Sequence, residues 1–317
     1  MSIEKRKDDH IRLAKEENTS LNFELDIDHV SLPTFDFDEI NLETTFLGHK
    51  IKYPIYINAM TGGSKSAQKI NEKLALYAKK YELPIVLGSQ SAALKNEKLI
   101  ETYSCIKKIY PNCFLVSNIS ANYNYKDALK AINMVNANAL SIHLNLLQEL
   151  IMKEGDRKFR HWQKNIKEIV ENINVPVLVK EVGFGMSKQT IKQLENLNVK
   201  YIDISGYGGT NFARIERRRQ NNNNIVFDNI GISTYQSLIN AKNSQATIYA
   251  SGGINNGLDV FKALYLGADA VGLSNFFLKL TDLEDEVAFL KIEELINEIK
   301  ISFMIYGFKN IKELKNN

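Results

Sequence analysis

Residues 176–212, PVLVKEVGFGMSKQTIKQLENLNVKYIDISGYGGTNF, decide the fold. The stretch opens on a short apolar run, 176–180, and breaks at a glycine-bearing turn. Residues 188–197 follow with apolar side chains at helical spacing, then a second apolar run, 200–205, ends in a cluster of glycines. Strand, turn, helix and strand in that order make one parallel βαβ unit. The unit recurs through the chain. Its runs are 54–58, 84–88, 113–118, 139–144, 176–180, 200–205, 247–252 and 269–274, each rich in Val, Ile or Leu and apolar on both faces. Parallel strands covered on both sides read this way. Eight strand signals alternating with helical ones predict an α/β fold, a (β/α)8 TIM barrel. A doubly wound open sheet is the alternative, with fewer strands than this chain offers.

The chain has 317 residues, 44% hydrophobic and 24% charged, a length that such a barrel fills as one domain. Residues 1–50 lack the rhythm and read as an N-terminal extension packed on a barrel of residues 51–317. The extension carries a charged segment from Lys5 to Glu17, then a loose alternation of Phe23, Leu25, Ile27, Val30 and Leu32. A net charge of +3 argues against a nucleic-acid partner and fits an anionic small molecule. The densest basic run, Arg217-Arg218-Arg219, precedes four asparagines and reads as a solvated loop; the tract 221–224 is expected to move or order on binding. Cys105 and Cys113 have no metal or redox spacing and read as packing residues. Neither a signal peptide nor an apolar run of about 18 residues is present, so the expectation is a cytoplasmic protein with no membrane association.

Barrels of this class carry their chemistry at the carboxyl ends of the strands. Those positions here are polar, amide or glycine at all eight ends: Asn58 to Gly63, Gly88 to Ser91, Asn118, His143 with Asn145, Lys180, Ser205 to Asn211, Ser251 to Gly253, and Gly272 to Asn275. Glycine lets backbone N–H groups approach a phosphate closely, and the turns after the last strands are the usual phosphate grip. Gly208-Gly209 and Gly252-Gly253 fit that use; each pair alone could merely close a tight turn. Lys180 could neutralise a phosphate, form a Schiff base, sit against a reduced flavin, or be a solvated loop lysine. Glu149 suits a magnesium ion that also binds substrate oxygens, or is a helix-start acid. Arg6, Lys7 and His10 could close over an anion or form a solvated helix face.

The strings RKDDHIRLA, INAMTGGS, GSQSAAL, IHLNLLQE with EGDR shortly after, VKEVGFGMS, DISGYGGTNFARIE and ASGGINNGLDV run in order from residue 6 to about 275. Together they resemble the type 2 isopentenyl diphosphate isomerases, a family of FMN-dependent barrels. The resemblance implies interconversion of isopentenyl and dimethylallyl diphosphate in isoprenoid biosynthesis, by proton addition and removal assisted by FMN that NADPH has reduced. It implies FMN contacts at Met60, Thr61, Gly62, Ser89, Asn118, Lys180, Ser205 and Thr210, with the phosphate against Gly252, Gly253, Ile254, Ser274 and Asn275. It implies substrate contacts at Arg6, Lys7, His10, Ser89, Gln90, Ser91, His143, Asn145 and Gln148, and Mg2+ on Glu149. Catalytic roles fall to Gln148, Lys180 and Glu216, the last as a proton relay with Gln148. The family also implies a homo-oligomer, a tetramer or octamer. Three features depart from its pattern: Ile230 stands where Trp is usual, Ser274-Asn275 replaces Ala-Gly, and the chain ends soon after Leu314. Two other readings compete: a flavin oxidoreductase acting on a small hydroxy acid, and a non-enzymatic flavin or phosphate sensor.

Overall fold

The computed structural model describes residues 3–16 and 25–315. Eight parallel strands close into a barrel in the order β10-β3-β4-β5-β6-β7-β8-β9. A two-stranded hairpin precedes them, β1 (Thr44–Phe46) and β2 (His49–Ile51). The barrel strands are β3 (Ile55–Ile57), β4 (Ile85–Val86), β5 (Leu115–Ser120), β6 (Ala139–Leu144), β7 (Val177–Glu181), β8 (Tyr201–Asp203), β9 (Thr247–Ser251) and β10 (Val271–Leu273). Six lie within a run that the sequence marks as apolar, β5 and β7 extend past theirs by two residues and one, and most strand residues are buried.

The helices between strands form for local reasons. Ser64 caps the helix Lys65–Tyr81 by accepting from the Ala67 N–H, and Ala67, Ile70, Leu74, Ala78 and Tyr81 form its buried stripe. Asn124, Ser187, Ser233 and Asn256 cap later helices in the same way. One large core lies between these helices and the sheet.

The N-terminal extension is used at both ends of the barrel. At the end where the strands begin, the β1–β2 hairpin inserts Phe46 and Leu47 into a cluster with Tyr56, Val86, Val116, Leu178 and Tyr249. Phe46 is fully buried, stacks on Tyr56 with ring centroids 4.3 Å apart and lies 4.9 Å from Tyr249. The Leu47 N–H donates to the Tyr249 hydroxyl (2.7 Å). At the opposite end, the helix Ile3–Glu16 crosses the mouth and buries Leu13 and Ala14. The alternation from Leu25 to Leu32 makes no strand. Val30 and Leu32 are exposed, and the Val30 N–H donates to the Ile305 carbonyl (2.7 Å), tying this segment to the end of the long helix Asp285–Ile305. Glu17 and Phe23 lie outside the described residues.

Arg217, Arg218 and Arg219 correct the sequence reading. They end the helix Phe212–Arg219 instead of lying in a loop, and Arg219 is buried between two carboxylates. The asparagines follow that helix, as expected, in a connection whose Ile225, Val226, Phe227 and Ile230 are exposed. Both cysteines are buried and free. No helix among the described residues is long and apolar enough to cross a membrane.

The hairpin plug carries a direct test. Phe46→Ala removes a stacked, fully buried ring from the barrel floor and should cost about 3–5 kcal/mol of unfolding free energy. Urea unfolding measures it; a loss below about 1 kcal/mol would show that the hairpin only rests against the barrel.

Candidate active site

A cavity of about 460 Å³ opens at the carboxyl ends of the barrel strands. Its floor is organised by one acid. Asp203, fully buried on β8, accepts from the Tyr56 hydroxyl (2.9 Å), the Asn58 amide (2.9 Å), the Ser205 N–H (3.0 Å) and the Ser251 hydroxyl (2.7 Å). Ser205 has φ of 33°, a left-handed conformation that its bond to Asp203 helps to hold.

Lys180 is the register partner of Asp203 on the neighbouring strand β7. Its ammonium is buried, lines the cavity and donates to the Glu181 carbonyl (2.6 Å). Burial pushes the Lys180 pKa down, and the charges of Asp203 and Glu181 oppose that push. His143, its partner on β6, is held down to about 3 by burial and by the cations Lys180 and Lys7, so its imidazole is neutral. Asn118 donates its amide to the Leu87 carbonyl (2.8 Å), which leaves its oxygen to accept from His143 Nδ1 (3.1 Å). That bond fixes the tautomer and leaves His143 Nε2 as an acceptor. An anion bound nearby would raise the pKa and turn Nε2 into a donor.

The turns after β8 and β9 meet backbone to backbone. Gly252 has φ of 96°, and a Cβ there would sit 2.0 Å from the Gly206 carbonyl oxygen. Gly253 has φ of 72° and packs on Gly208. No larger residue fits either position, and the shelf so formed lines the cavity together with Ile254, Ser274 and Asn275.

The opposite wall is mostly charged. Arg6, Lys7, His10 and Ile11 of the N-terminal helix face the cavity. Arg6 Nε and Asn145 Oδ1 are buried there without a hydrogen-bond partner, an expensive state that a bound anion and a bound cation would respectively relieve. Glu149 accepts from Asn145 Nδ2 (2.9 Å) and the Asp156 N–H (2.8 Å). Among the described residues no three His, Cys, Asp or Glu side chains gather to cage a metal. One carboxylate beside the free Asn145 oxygen fits magnesium, which takes its remaining ligands from substrate and water.

Most residues expected at the site line this cavity: Met60, Thr61, Ser89, Ser91, Thr210 and Gln148 join the expected residues already described. Three do not. Gln90 is fully buried, with its amide donating to the Ala131 carbonyl (3.0 Å) and its oxygen accepting from the Asn118 N–H (2.8 Å) and Ser117. It braces β5 from behind and does not line the cavity. Gly62 faces the Tyr103 ring, which would lie 1.9 Å from a Cβ. Glu216 is fully buried behind the wall; its Oε1 accepts from His10 Nε2 (2.8 Å) and Gln148 Nε2 (3.0 Å), and its Oε2 from Arg219 Nε (2.7 Å). Burial pushes its pKa up, but His10, Gln148 and Arg219 outweigh burial and bring it down to about 2.

Asp203 was readable in the sequence: it is the one acid in the strand run 200–205, flanked by Ile202 and Ile204. Asn122 and Asp156 were missed because only the fold brings them together, Asn122 Nδ2 donating to Asp156 (2.5 Å) at the cavity edge.

Lys7 makes the basic wall testable. Burial first, then Arg6, lowers its pKa to about 8, partly opposed by Glu216. An anion beside it should restore the value toward 10.5, so binding at pH 9 should take up close to one proton, and affinity should fall as pH rises above 8. Calorimetry with inorganic diphosphate in two buffers of different ionisation enthalpy measures this uptake. An uptake identical in Lys7→Met would mean that Lys7 does not meet the anion.

The geometry can be set beside known proteins. The model of the FMN-dependent dehydrogenase family matches residues 115–317. The isopentenyl-diphosphate delta-isomerase of Listeria monocytogenes (strain F2365) is 44% identical over 98% of this chain and 90% of its own length. That of Staphylococcus epidermidis is 39% identical over 98% of this chain and 91% of its own. Among solved structures, a flavocytochrome b2 with pyruvate bound superimposes with a TM-score of 0.66 at 18% identity, covering 96% of this chain and 81% of that one. A mandelate oxidase with (S)-mandelic acid gives 0.60 at 13%, covering 99% and 89%. Those structures share the barrel alone. With a glycine shelf, a buried lysine and a basic helix over one cavity, and with such identity along nearly all its length, this chain belongs to the type 2 isopentenyl-diphosphate delta-isomerases, FMN-dependent members of the barrel class.

Proposed function

We propose that this protein interconverts isopentenyl diphosphate and dimethylallyl diphosphate, using FMN kept reduced by NADPH and Mg2+ held at Glu149. The observation that carries the reading is the pairing of two anion-binding surfaces in one cavity. The glycine shelf of Gly252 and Gly253 suits the FMN phosphate, and the Arg6–Lys7 surface, with its unpartnered Arg6 Nε, suits the substrate diphosphate. A small hydroxy acid brings a single carboxylate and would have no use for a cation site at Glu149 and Asn145 beside the basic surface.

FMN, when bound in its reduced form, supplies a ring nitrogen that can carry a proton and a face that shelters developing positive charge. The protein supplies the rest. Lys180 presents a buried positive charge, favoured by the Asp203 carboxylate on the neighbouring strand, against which an anionic ring would be stabilised. Asn118 holds the His143 ring, whose Nε2 accepts while the imidazole is neutral and donates once an anion lies beside it. Gln148 reaches the cavity with its amide N–H turned toward Glu216, a pair that could pass or hold a proton at the isoprenoid end. Asn145 and Glu149 would hold the magnesium ion, which would neutralise charge on the diphosphate.

The runner-up, oxidation of a hydroxy acid, rests on the shared barrel of the oxidases. Purified protein loaded with FMN and reduced by NADPH should convert either isomer to the other without continuing NADPH consumption. Steady oxygen uptake with 2-hydroxy acids and no double-bond migration would favour the runner-up. Lys180→Met should keep FMN but lose a charge-assisted contact worth roughly 1.5–3 kcal/mol, lowering the two-electron flavin potential by roughly 30–60 mV and slowing isomerisation even after chemical reduction. An unchanged potential with normal turnover would make Lys180 a bystander.

A further inference from the structure

Arg219 is the least exposed of the three consecutive arginines, with only 2% of its side chain accessible. Its Nε donates to Glu216 Oε2 (2.7 Å), and its Nη2 meets Glu154 Oε1 (2.6 Å). It therefore joins two segments distant in sequence. Glu154 belongs to the turn in which the Asp156 N–H donates to the Glu149 carboxylate, and Glu216 belongs to the helix Phe212–Arg219.

Glu216 divides its oxygens. Arg219 takes Oε2, while His10 and Gln148 share Oε1. A carboxylate beside a guanidinium accepts hydrogen bonds and donates none. That restriction settles two orientations. Gln148 must turn its NH2 toward Glu216, which directs its carbonyl to the Asn145 side, where the amide lies 3.5 Å away. His10 must present Nε2–H, so the N-terminal helix docks over the cavity through a bond to a fixed partner. The T-shaped contact of His10 with Phe212, centroids 5.9 Å apart, and the Arg218–Glu16 ion pair seat that helix on the same element. The groups facing Glu216 are then His10 and Lys7 from the N-terminal helix, Gln148 from the wall, Arg219 from its own helix, and Glu154 as the like charge that Arg219 also neutralises.

We propose that Arg219 is a positioning residue of the active site: it anchors Glu216 as an acceptor, and through Glu216 it orients Gln148 and latches the N-terminal helix across the mouth. The orientation of Gln148 matters for turnover on the function proposed above; the latch does not depend on that reading.

The test is amide hydrogen exchange of residues 3–16 in the protein as purified, without substrate, together with kcat and KM for the isomerisation. Arg219→Gln should speed exchange in that helix and lower kcat, each by about tenfold, the size of one broken buried contact. Arg219→Lys, which keeps the cation, should recover most of both. The double variant with Glu216→Gln should be no worse than the more affected single variant, because both remove one linkage. Wild-type exchange and kcat in Arg219→Gln would overturn the proposal. So would additive losses in the double variant, which mark Arg219 as a fold-stabilising ion pair only. If Arg219→Gln does not fold, Arg219→Lys and Glu216→Gln carry the same comparison, and equal exchange in both and in wild type overturns the latch. A wild-type protein that does not isomerise while the exchange pattern holds would sink the proposed function and leave the latch standing.

Discussion

Inside the barrel, a carboxyl group removed from water must find donors among its neighbours, and Asp203 has four of them. The donors come from β3, from the turn after β8 and from β9, so satisfying one acid fixes the strand ends where the cavity floor begins. Ser205 is held in its left-handed conformation, Asn58 is turned inward, and Lys180 stands beside the acid with a counter-charge that offsets its burial. Beneath this layer lies the aromatic floor of Tyr56 and Tyr249, sealed by Phe46. The polar layer can exist because the apolar plug below keeps solvent out of the barrel's far end.

The parts of this arrangement written in local pattern could be read from the chain. A strand covered on both faces shows itself as a short apolar run, and a capped helix as a Ser or Asn before a periodic stripe. The eight runs and their polar ends were therefore legible, and the cavity is lined by nearly all the residues they pointed to. What depended on distant partners was not. Arg219 looks like one arginine among three before an asparagine tract; only the approach of Glu154 and Glu216 makes it a buried residue. Gln90 sits in a string of polar residues at a strand end, yet its side chain turns inward to bind the Asn118 N–H and Ala131 carbonyl. The first fifty residues have no period of their own because they serve two different surfaces, a hairpin at the floor and a helix over the mouth.

That division of the extension gives the site its character. A barrel with a glycine shelf alone would describe many phosphate-binding enzymes, and the mandelate oxidase and flavocytochrome folds show how widely the frame is shared. The basic helix brings Arg6, Lys7 and His10 to the cavity from outside the barrel, the surface on which the proposed diphosphate site rests. The neutral His143 and the buried Lys180 line the cavity and the ionised Glu216 lies behind its wall, each charge set by its own burial and partners.

The central claim is that this cavity moves a double bond by adding one proton and removing another, with no net oxidation. The most direct measurement is NMR of isopentenyl diphosphate incubated in D2O with the FMN-loaded, reduced protein and Mg2+. Dimethylallyl diphosphate carrying deuterium in its newly formed methyl group, with no oxidised product, is the result this account predicts. Unchanged substrate with the reduced, loaded protein would contradict it.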